Sequence, residues 1–252
     1  MEFINGDFFM KGLDTGDPSA VTTWQELVEK IGQIGFLPFF SGEIEGFSVE
    51  EMTCSANWWS GDEDSDPWEW REIIAADHRV AYGKFFDKKA GFISLEWLPY
   101  FANFRRDGYD FDARWDDGMA NRREKKIMDF YISEDKRGDT VYSHELILST
   151  ELKHMAGFGN GGEKNFPGIL TGLQMQTYLV ISQFQRRESK GGSEYGMPVS
   201  IMLTPEAIWG REAVTSAYGE SVRTSWERIS KRIKDFYPHA KEKDIIKLIG
   251  KV

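Results

Sequence analysis

Residues 166–205 read FPGILTGLQMQTYLVISQFQRRESKGGSEYGMPVSIMLTP, and their periodicity changes twice along the stretch. Ile169, Leu170 and Leu173 recur at helical spacing, which predicts a short helix. Residues 177–187 alternate as a strand does, residues 188–194 are a polar turn with two glycines, and residues 197–203 alternate again before Pro205. Together with the helical pattern of residues 149–157, this order predicts a winged helix-turn-helix, with residues 121–133 as its first helix.

The rest of the chain predicts an α+β, mainly helical fold, in which this module in the C-terminal half packs on a Trp-rich helical N-terminal region. We expect three parts: residues 1–118, residues 119–205 and a helical C-terminal part at residues 206–252. Residues 1–20 are predicted to be irregular, and residues 107–118 (DGYDFDARWDDG) to be a loop or linker. Capping residues and apolar spacing predict further helices at 23–35, 66–76, 94–106, 221–236 and 241–249, and a helix start at Ser48.

Composition limits the classes of function. The net charge of −10 over 252 residues counts against avid, non-specific nucleic-acid binding, although one local basic face is compatible with it. A single cysteine, Cys54, fits a reducing compartment, and no apolar run approaches the about 18–20 residues of a membrane span. We therefore expect a cytoplasmic protein without membrane contact.

No motif indicates a metal or a cofactor, and none is predicted. The four histidines are isolated from one another and none pairs at the spacing of zinc ligands. Phosphate-binding glycine motifs after a strand and a serine nucleophile elbow are also absent.

Two basic sets are candidates for contact with double-stranded DNA. In the first half of the chain, the candidates are Lys84, Lys88, Arg105 and Arg106, which form one face if two helices bring them together; a solvated, partly neutralised surface is the alternative. In the winged module, the candidates are Lys164, Arg186, Arg187 and Lys190, with Gln174 and Gln176 able to read adenine.

The segment NWWSGDEDSDPWEW (residues 57–70) has two interpretations. Trp58, Trp59, Trp68 and Trp70 either form an aromatic pocket that stacks a base or a flat ligand, or fill the N-terminal core beneath a solvated acidic loop. Asp66 before Pro67 predicts a capped helix start within this segment.

Several segments resemble a group of bacterial proteins described as related to AlkZ. They are DPWEWRE (66–72), AYGKFFDKKAGFIS (81–94), LPYFANFRRDGYDF (98–111), LTGLQMQTYLVISQF (170–184) and KGGSEYGMPV (190–199). AlkZ-type proteins are winged-helix DNA glycosylases that excise alkylated bases, and the likeness to these enzymes is more distant. The resemblance implies a DNA-binding protein acting in DNA repair.

The glycosylases carry a catalytic Gln-x-Gln or Gln-x-Asp, and Gln174-Met175-Gln176 matches it locally. Here the match lies in the C-terminal half, whereas the motif lies near the N-terminus of the glycosylases. Excision of a flipped cationic base needs only stacking and a placed water, so no metal is required. Two functions stay open: a DNA-binding protein with or without glycosylase activity, and a non-catalytic winged-helix module that binds a protein or ligand.

Overall fold

The computed structural model describes residues 2–4, 7–189, 191, 192 and 194–252. The fold combines helices with antiparallel strands, which is consistent with the predicted α+β class. The helices are α1 (Trp24–Ile34), α2 (Val49–Met52), α3 (Pro67–Asp77), α4 (Leu98–Arg106), α5 (Phe111–Asp116), α6 (Arg122–Met128), α7 (Ser149–Met155), α8 (Phe166–Met175), α9 (Pro205–Trp209), α10 (Arg211–Thr215), α11 (Val222–Phe236) and α12 (Glu242–Ile249).

The strands form small antiparallel sheets. They are β1 (Glu2–Ile4), β2 (Asp7–Phe9), β3 (Phe36–Pro38), β4 (Val80–Phe86), β5 (Lys89–Ser94), β6 (Ile132–Glu134), β7 (Thr140–Tyr142), β8 (Val180–Glu188) and β9 (Glu194–Leu203). β5 lies between β3 and β4 in a three-stranded sheet, while β1–β2, β6–β7 and β8–β9 are two-stranded.

Helix α1 shows how the sequence dictates the first layer of the core. The Thr23 hydroxyl accepts a hydrogen bond from the amide of Glu26, and Gly35 ends the helix with φ of 104°. The apolar stripe that includes Leu27 and Ile31 is fully buried, and α1 packs on the β3–β5–β4 sheet. The predicted helix at residues 23–35 is therefore confirmed.

The buried carboxylate of Asp66 begins α3 and also shapes the loop before it. Its oxygens accept hydrogen bonds from the amides of Trp68 at 2.8 Å, Trp59 at 3.1 Å and Gly61 at 3.0 Å. The predicted cap is confirmed, and the same side chain closes the acidic loop over the N-terminal core.

Some local predictions are wrong. Residues 107–118 contain α5 instead of a linker, because the aromatic side chain of Phe111 is buried against Tyr178 and outweighs the polar composition around it. The predicted helix at 121–133 ends at Met128, and Ile132 begins a hairpin. Within residues 1–20, which were predicted to be irregular, β1 pairs with β2, whereas residues 10–20 contain no helix or strand. Residues 89–94 form β5 and complete the central sheet, and the helix predicted from residue 94 begins only at Leu98.

One hydrophobic cluster runs through all three predicted parts of the chain. It includes Phe101 of α4, Leu173 of α8 and Ile229 of α11. The division at residues 118 and 205 stays a prediction. Within the described ranges, no helix combines the length and the apolar character needed to cross a bilayer.

Two glycines test how tightly the sheet is packed. A methyl group on Gly91 would lie 2.6 Å from the carbonyl oxygen of Leu37 and 2.5 Å from the ring of Phe86, whereas one on Gly32 of α1 would meet nothing within 4 Å. We expect Gly91→Ala to lower the free energy of unfolding by about 1–3 kcal/mol. Gly32→Ala should raise it by about 0.5–1 kcal/mol, since alanine is the better helix former. Urea denaturation measures both, and equal effects would contradict this packing.

Candidate nucleic-acid interface

Helix α8 lies between α6 and the turn that joins β4 to β5. The amide of Lys84 donates to Oε1 of Gln174 at 3.0 Å, and the amide of Lys88 donates to Sδ of Met175 at 3.2 Å. On the other side, Nε2 of Gln176 donates to Oε1 of Glu124 at 3.3 Å. The helix is thus held at its C-terminal end from two sides.

The outward side of α8 carries mostly small side chains. Ile169, Leu170 and Leu173 are buried, whereas Pro167 and Gly168 are exposed. Thr171 and Gly172 are half-buried in the next turn. Another molecule can therefore approach the backbone of this helix closely near its first turn.

The two glutamines of the Gln-x-Gln motif have different environments. Gln174 is 2 % exposed, and its amide group is engaged at both ends, by the amide of Lys84 and by the carbonyl of Leu170 at 3.2 Å. Gln176 is half-buried, and its Oε1 is enclosed without a hydrogen-bond partner among the described residues. The motif therefore does not present two equivalent amides to one water in this conformation.

The residue after the motif has a strained backbone. Thr177 is fully buried and has φ of 62°, which a β-branched residue rarely adopts. Arg106 holds it there: Nη2 donates to the carbonyl of Thr177 at 2.6 Å and Nε donates to its hydroxyl at 3.2 Å. The turn from α8 into β8 is thus fixed by a side chain from α4.

Arg106 has the most extensive set of polar contacts in this region. Its Nη1 pairs with Glu206 of α9 and donates to the Tyr218 hydroxyl at 3.2 Å, and its guanidinium lies 4.6 Å from the ring centre of Tyr178. Burial alone would lower the pKa of Arg106, but the Glu206 carboxylate raises it above its ordinary value. The ion pair therefore stays charged.

The structure corrects the expectation that Arg105 and Arg106 belong to an exposed basic face. Arg106 is 2 % exposed and fully engaged, so its guanidinium is not available to a phosphate in this conformation. Arg105 is half-buried: Nη2 donates to the carbonyl of Phe85, its Cζ lies 4.8 Å from the ring centre of Phe101, and burial lowers its pKa to about 9. Both side chains connect elements of the fold instead of facing solvent.

The other predicted cations have side chains open to solvent. Lys84, Lys88, Lys164, Arg186 and Arg187 are exposed, while Lys190 lies outside the described residues. Arg186 of β8 donates to the carbonyl of Gly196 at 3.1 Å, which connects the two strands of the ribbon. Burial raises the pKa of Glu72 on α3, and the charges of Arg71 and Arg186 partly oppose this rise.

The four tryptophans do not enclose a common pocket. Trp70 is fully buried and Trp58 is 6 % exposed, with the indole N–H of Trp58 donating to the hydroxyl of Thr53 at 3.0 Å. Trp68 is half-buried, and the guanidinium carbon of Arg71 lies 3.6 Å from the centre of the Trp68 ring. Trp59 is 41 % exposed. This arrangement matches the core interpretation for Trp58 and Trp70.

Sequence reasoning missed a second group of cations beside α8. Lys126 of α6 pairs with Glu163 at 2.9 Å, just before α8 begins. Lys153 is exposed on α7 and borders the glycine-rich loop between α7 and α8. The run RREKK at residues 122–126 was the available signal, since four of its five residues are cations and its one acid, Glu124, is buried.

A small polar cavity adjoins the Arg106 ion pair. Asp110, Asp112 and Tyr142 line it together with Glu206, and Oδ1 of Asp110 has no hydrogen-bond partner among the described residues. Burial raises the pKa of Asp112. Across the described ranges, no group of three or more His, Cys, Asp and Glu side chains is placed to hold a metal ion.

The AlkZ-related family model matches residues 21–250, which is nearly the whole chain. The chain belongs to the AlkZ-related family. No curated protein and no solved structure matches it. The match covers α1 to α12 and the strands β3 to β9, and leaves out the β1–β2 pair.

The Arg106 ion pair is the most sensitive position in this region of the AlkZ-related chain. We expect Arg106→Met to lower the free energy of unfolding by about 3–5 kcal/mol, because it leaves the carboxylate of Glu206 buried without a partner. Urea denaturation followed by circular dichroism measures the change. Adding Glu206→Leu to Arg106→Met should restore most of the loss.

The matched control is Arg228→Met, which removes an exposed ion pair with Glu220. It should cost no more than about 1 kcal/mol. A similar cost for Arg106→Met and Arg228→Met would show that the buried network is not what holds the α8–β8 turn.

Proposed function

We propose that this member of the AlkZ-related family is a winged-helix protein that binds double-stranded DNA. The observation that carries the proposal is that α6, α7 and α8 precede the β8–β9 ribbon, with the β6–β7 hairpin inserted between α6 and α7, and that Leu148 before α7 is bridged to Ile201 of β9. This single bridge lies where the short third strand of a winged helix pairs with the ribbon. α8 then corresponds to the recognition helix and the β8–β9 turn to the wing.

The placement of charge supports the same function. The chain carries −10 overall, yet exposed cations lie on both sides of α7. Lys153 borders its C-terminal end, while Arg186 and Arg187 line a shallow surface at its N-terminal end, together with Thr150 and one acid, Glu151. A phosphate backbone that follows α7 would therefore meet positive charge along its path.

The wing arginines provide the direct test of DNA binding. We expect wild-type protein to bind a duplex at low salt, with affinity that falls steeply as salt increases. Arg186→Glu with Arg187→Glu should weaken binding at least about tenfold, because it replaces two phosphate contacts with repulsion. Fluorescence anisotropy of a labelled duplex, measured at several salt concentrations, gives both the affinity and the salt slope.

A control variant separates this effect from total charge. Lys234 on α11 and Lys241 before α12 are exposed, and Lys234→Glu with Lys241→Glu changes the net charge by the same amount. The control should bind DNA nearly as wild type does. Absence of any wild-type complex at low salt would refute the proposed function.

Base excision is a second candidate activity, favoured by the geometry at the end of α8. Oε1 of Gln176 is enclosed without a hydrogen-bond partner among the described residues, and the strained Thr177 follows it directly. Unsatisfied polar atoms and strained backbone both concentrate at functional sites. Gln174-Met175-Gln176 matches locally the catalytic motif of the more distantly similar AlkZ-type glycosylases, so Gln176 is the residue we propose to position the attacking water, with Gln174 supporting the turn.

Release of free base from an N-alkylated duplex tests this activity. We expect Gln176→Ala to reduce release about a hundredfold, the scale of losing one polar group that acts on the transition state. Gln33→Ala removes an exposed glutamine from α1 and should leave release unchanged. Equal rates for wild type and Gln176→Ala would exclude this role, and no release by wild type on a duplex that it binds would leave DNA binding as the function.

A further inference from the structure

The loop between α7 and α8 is a rigid structure built from glycine. Its residues 157–163 read GFGNGGE, and Gly157, Gly159 and Gly161 have φ of 75°, 138° and 79°. A side chain on Gly162 would lie against the carbonyl oxygen of Gly157, inside van der Waals contact. The sequence therefore specifies this backbone path, since other residues fit poorly at these positions.

Contacts on both sides of the loop hold it in place. Phe158 is 3 % exposed, and its ring centre lies 5.2 Å from that of Phe166 at the start of α8. The amide of Glu163 donates to the carbonyl of Gly157 at 2.9 Å, and the amide of Gly159 donates back to the carbonyl of Glu163 at 3.2 Å. The loop is thus anchored to the core through Phe158 and closed on itself by these two hydrogen bonds.

The outer side of the loop is an open bowl of about 620 Å³, which we call the glycine bowl. Lys153, His154, Asn160 and four glycines line it. The hydrogen bonds that close the loop use the amides of residues 157–159, 162 and 163, and those of Asn160 and Gly161 take no part in them. Two backbone donors therefore face no acceptor within the loop.

Lysines lie near the glycine bowl, and the nearest to Gly157, Lys126, is paired with Glu163. Lys126 lies beside the bowl, with Nζ 3.9 Å from the position of a side chain on Gly157, and Lys164 follows the bowl in the chain. The hydrogen bond from Lys126 lowers the pKa of Glu163. The charges of Arg122 and Arg123 on α6 lower that pKa further.

We propose that the glycine bowl binds a phosphate group, and that on duplex DNA it holds one backbone phosphate beside the first turn of α8. The DNA part of this proposal rests on the proposed function. Successive backbone amides in a glycine turn, with cations nearby, are the donors that suit a tetrahedral oxyanion. The open shape of the bowl lets a polymer backbone pass through.

Asn160→Glu tests the proposal with little risk to folding, because Asn160 is exposed and has no positive φ. We expect it to weaken duplex binding about tenfold and to reduce the salt slope by about 1, the loss of one phosphate contact. Lys153→Glu should act in the same direction. Asn160→Gln keeps the bowl neutral and should bind as wild type does.

Titration of wild-type protein with inorganic phosphate, followed by amide NMR, separates the source of the phosphate. We expect the signals of Asn160 and Gly161 to shift with phosphate, and not to shift in Asn160→Glu. If wild type binds no DNA but these shifts occur, the proposed function fails while the bowl stands as a site for a free phosphate group. If the shifts occur and Asn160→Glu binds DNA as wild type does, the DNA part is overturned. If the shifts are absent and Asn160→Glu does not affect DNA binding, the glycine bowl is not a phosphate site, and the proposed function is unaffected.

Discussion

The buried guanidinium of Arg106 joins parts of the chain that are far apart in sequence. It connects α4 to the turn after α8 through Thr177, to α9 through Glu206, and to the segment before α11 through Tyr218. Burying a charge of this kind is unfavourable unless every donor finds a partner, and here Nε, Nη1 and Nη2 all have one. The direction in which the β8–β9 ribbon leaves α8 therefore depends on a side chain from the N-terminal half.

Local sequence rules predicted the helices whose ends are capped and failed where tertiary contacts decide. The hydroxyls of Thr23 and Ser221 cap their helices, and both helices begin where the sequence predicted. The rules missed α5, because burial of Phe111 stabilises a helix in a segment rich in Asp and Gly. They also missed most of β5, whose pairing with β3 and β4 cannot be read from neighbouring residues.

The candidate interface was predictable where exposure follows from a local pattern. Arg186 and Arg187 lie on β8 next to a polar turn, and both are exposed. Arg105 and Arg106 form an equally basic pair at a helix end, yet the packing of α8, α9 and β4 around that end turns both into structural residues. The cations of α6 were not predicted as an interface because the net charge of −10 describes the whole chain. Residues 122–126 nevertheless contain four cations and one acid, Glu124, which is buried.

An acidic protein with one basic surface has a physical advantage as a DNA-binding protein. The overall negative charge of such a protein repels the duplex. Encounters in which an acidic surface faces the DNA are therefore suppressed, and the protein docks through its basic surface. The same balance keeps the affinity modest and strongly dependent on salt. Contacts that do not depend on net charge, such as backbone amides in a preformed glycine loop, gain importance under these conditions because forming them orders few further groups. In the proposed complex with DNA, the backbone amides of the glycine loop before α8 therefore add contacts that do not depend on the net charge of the chain.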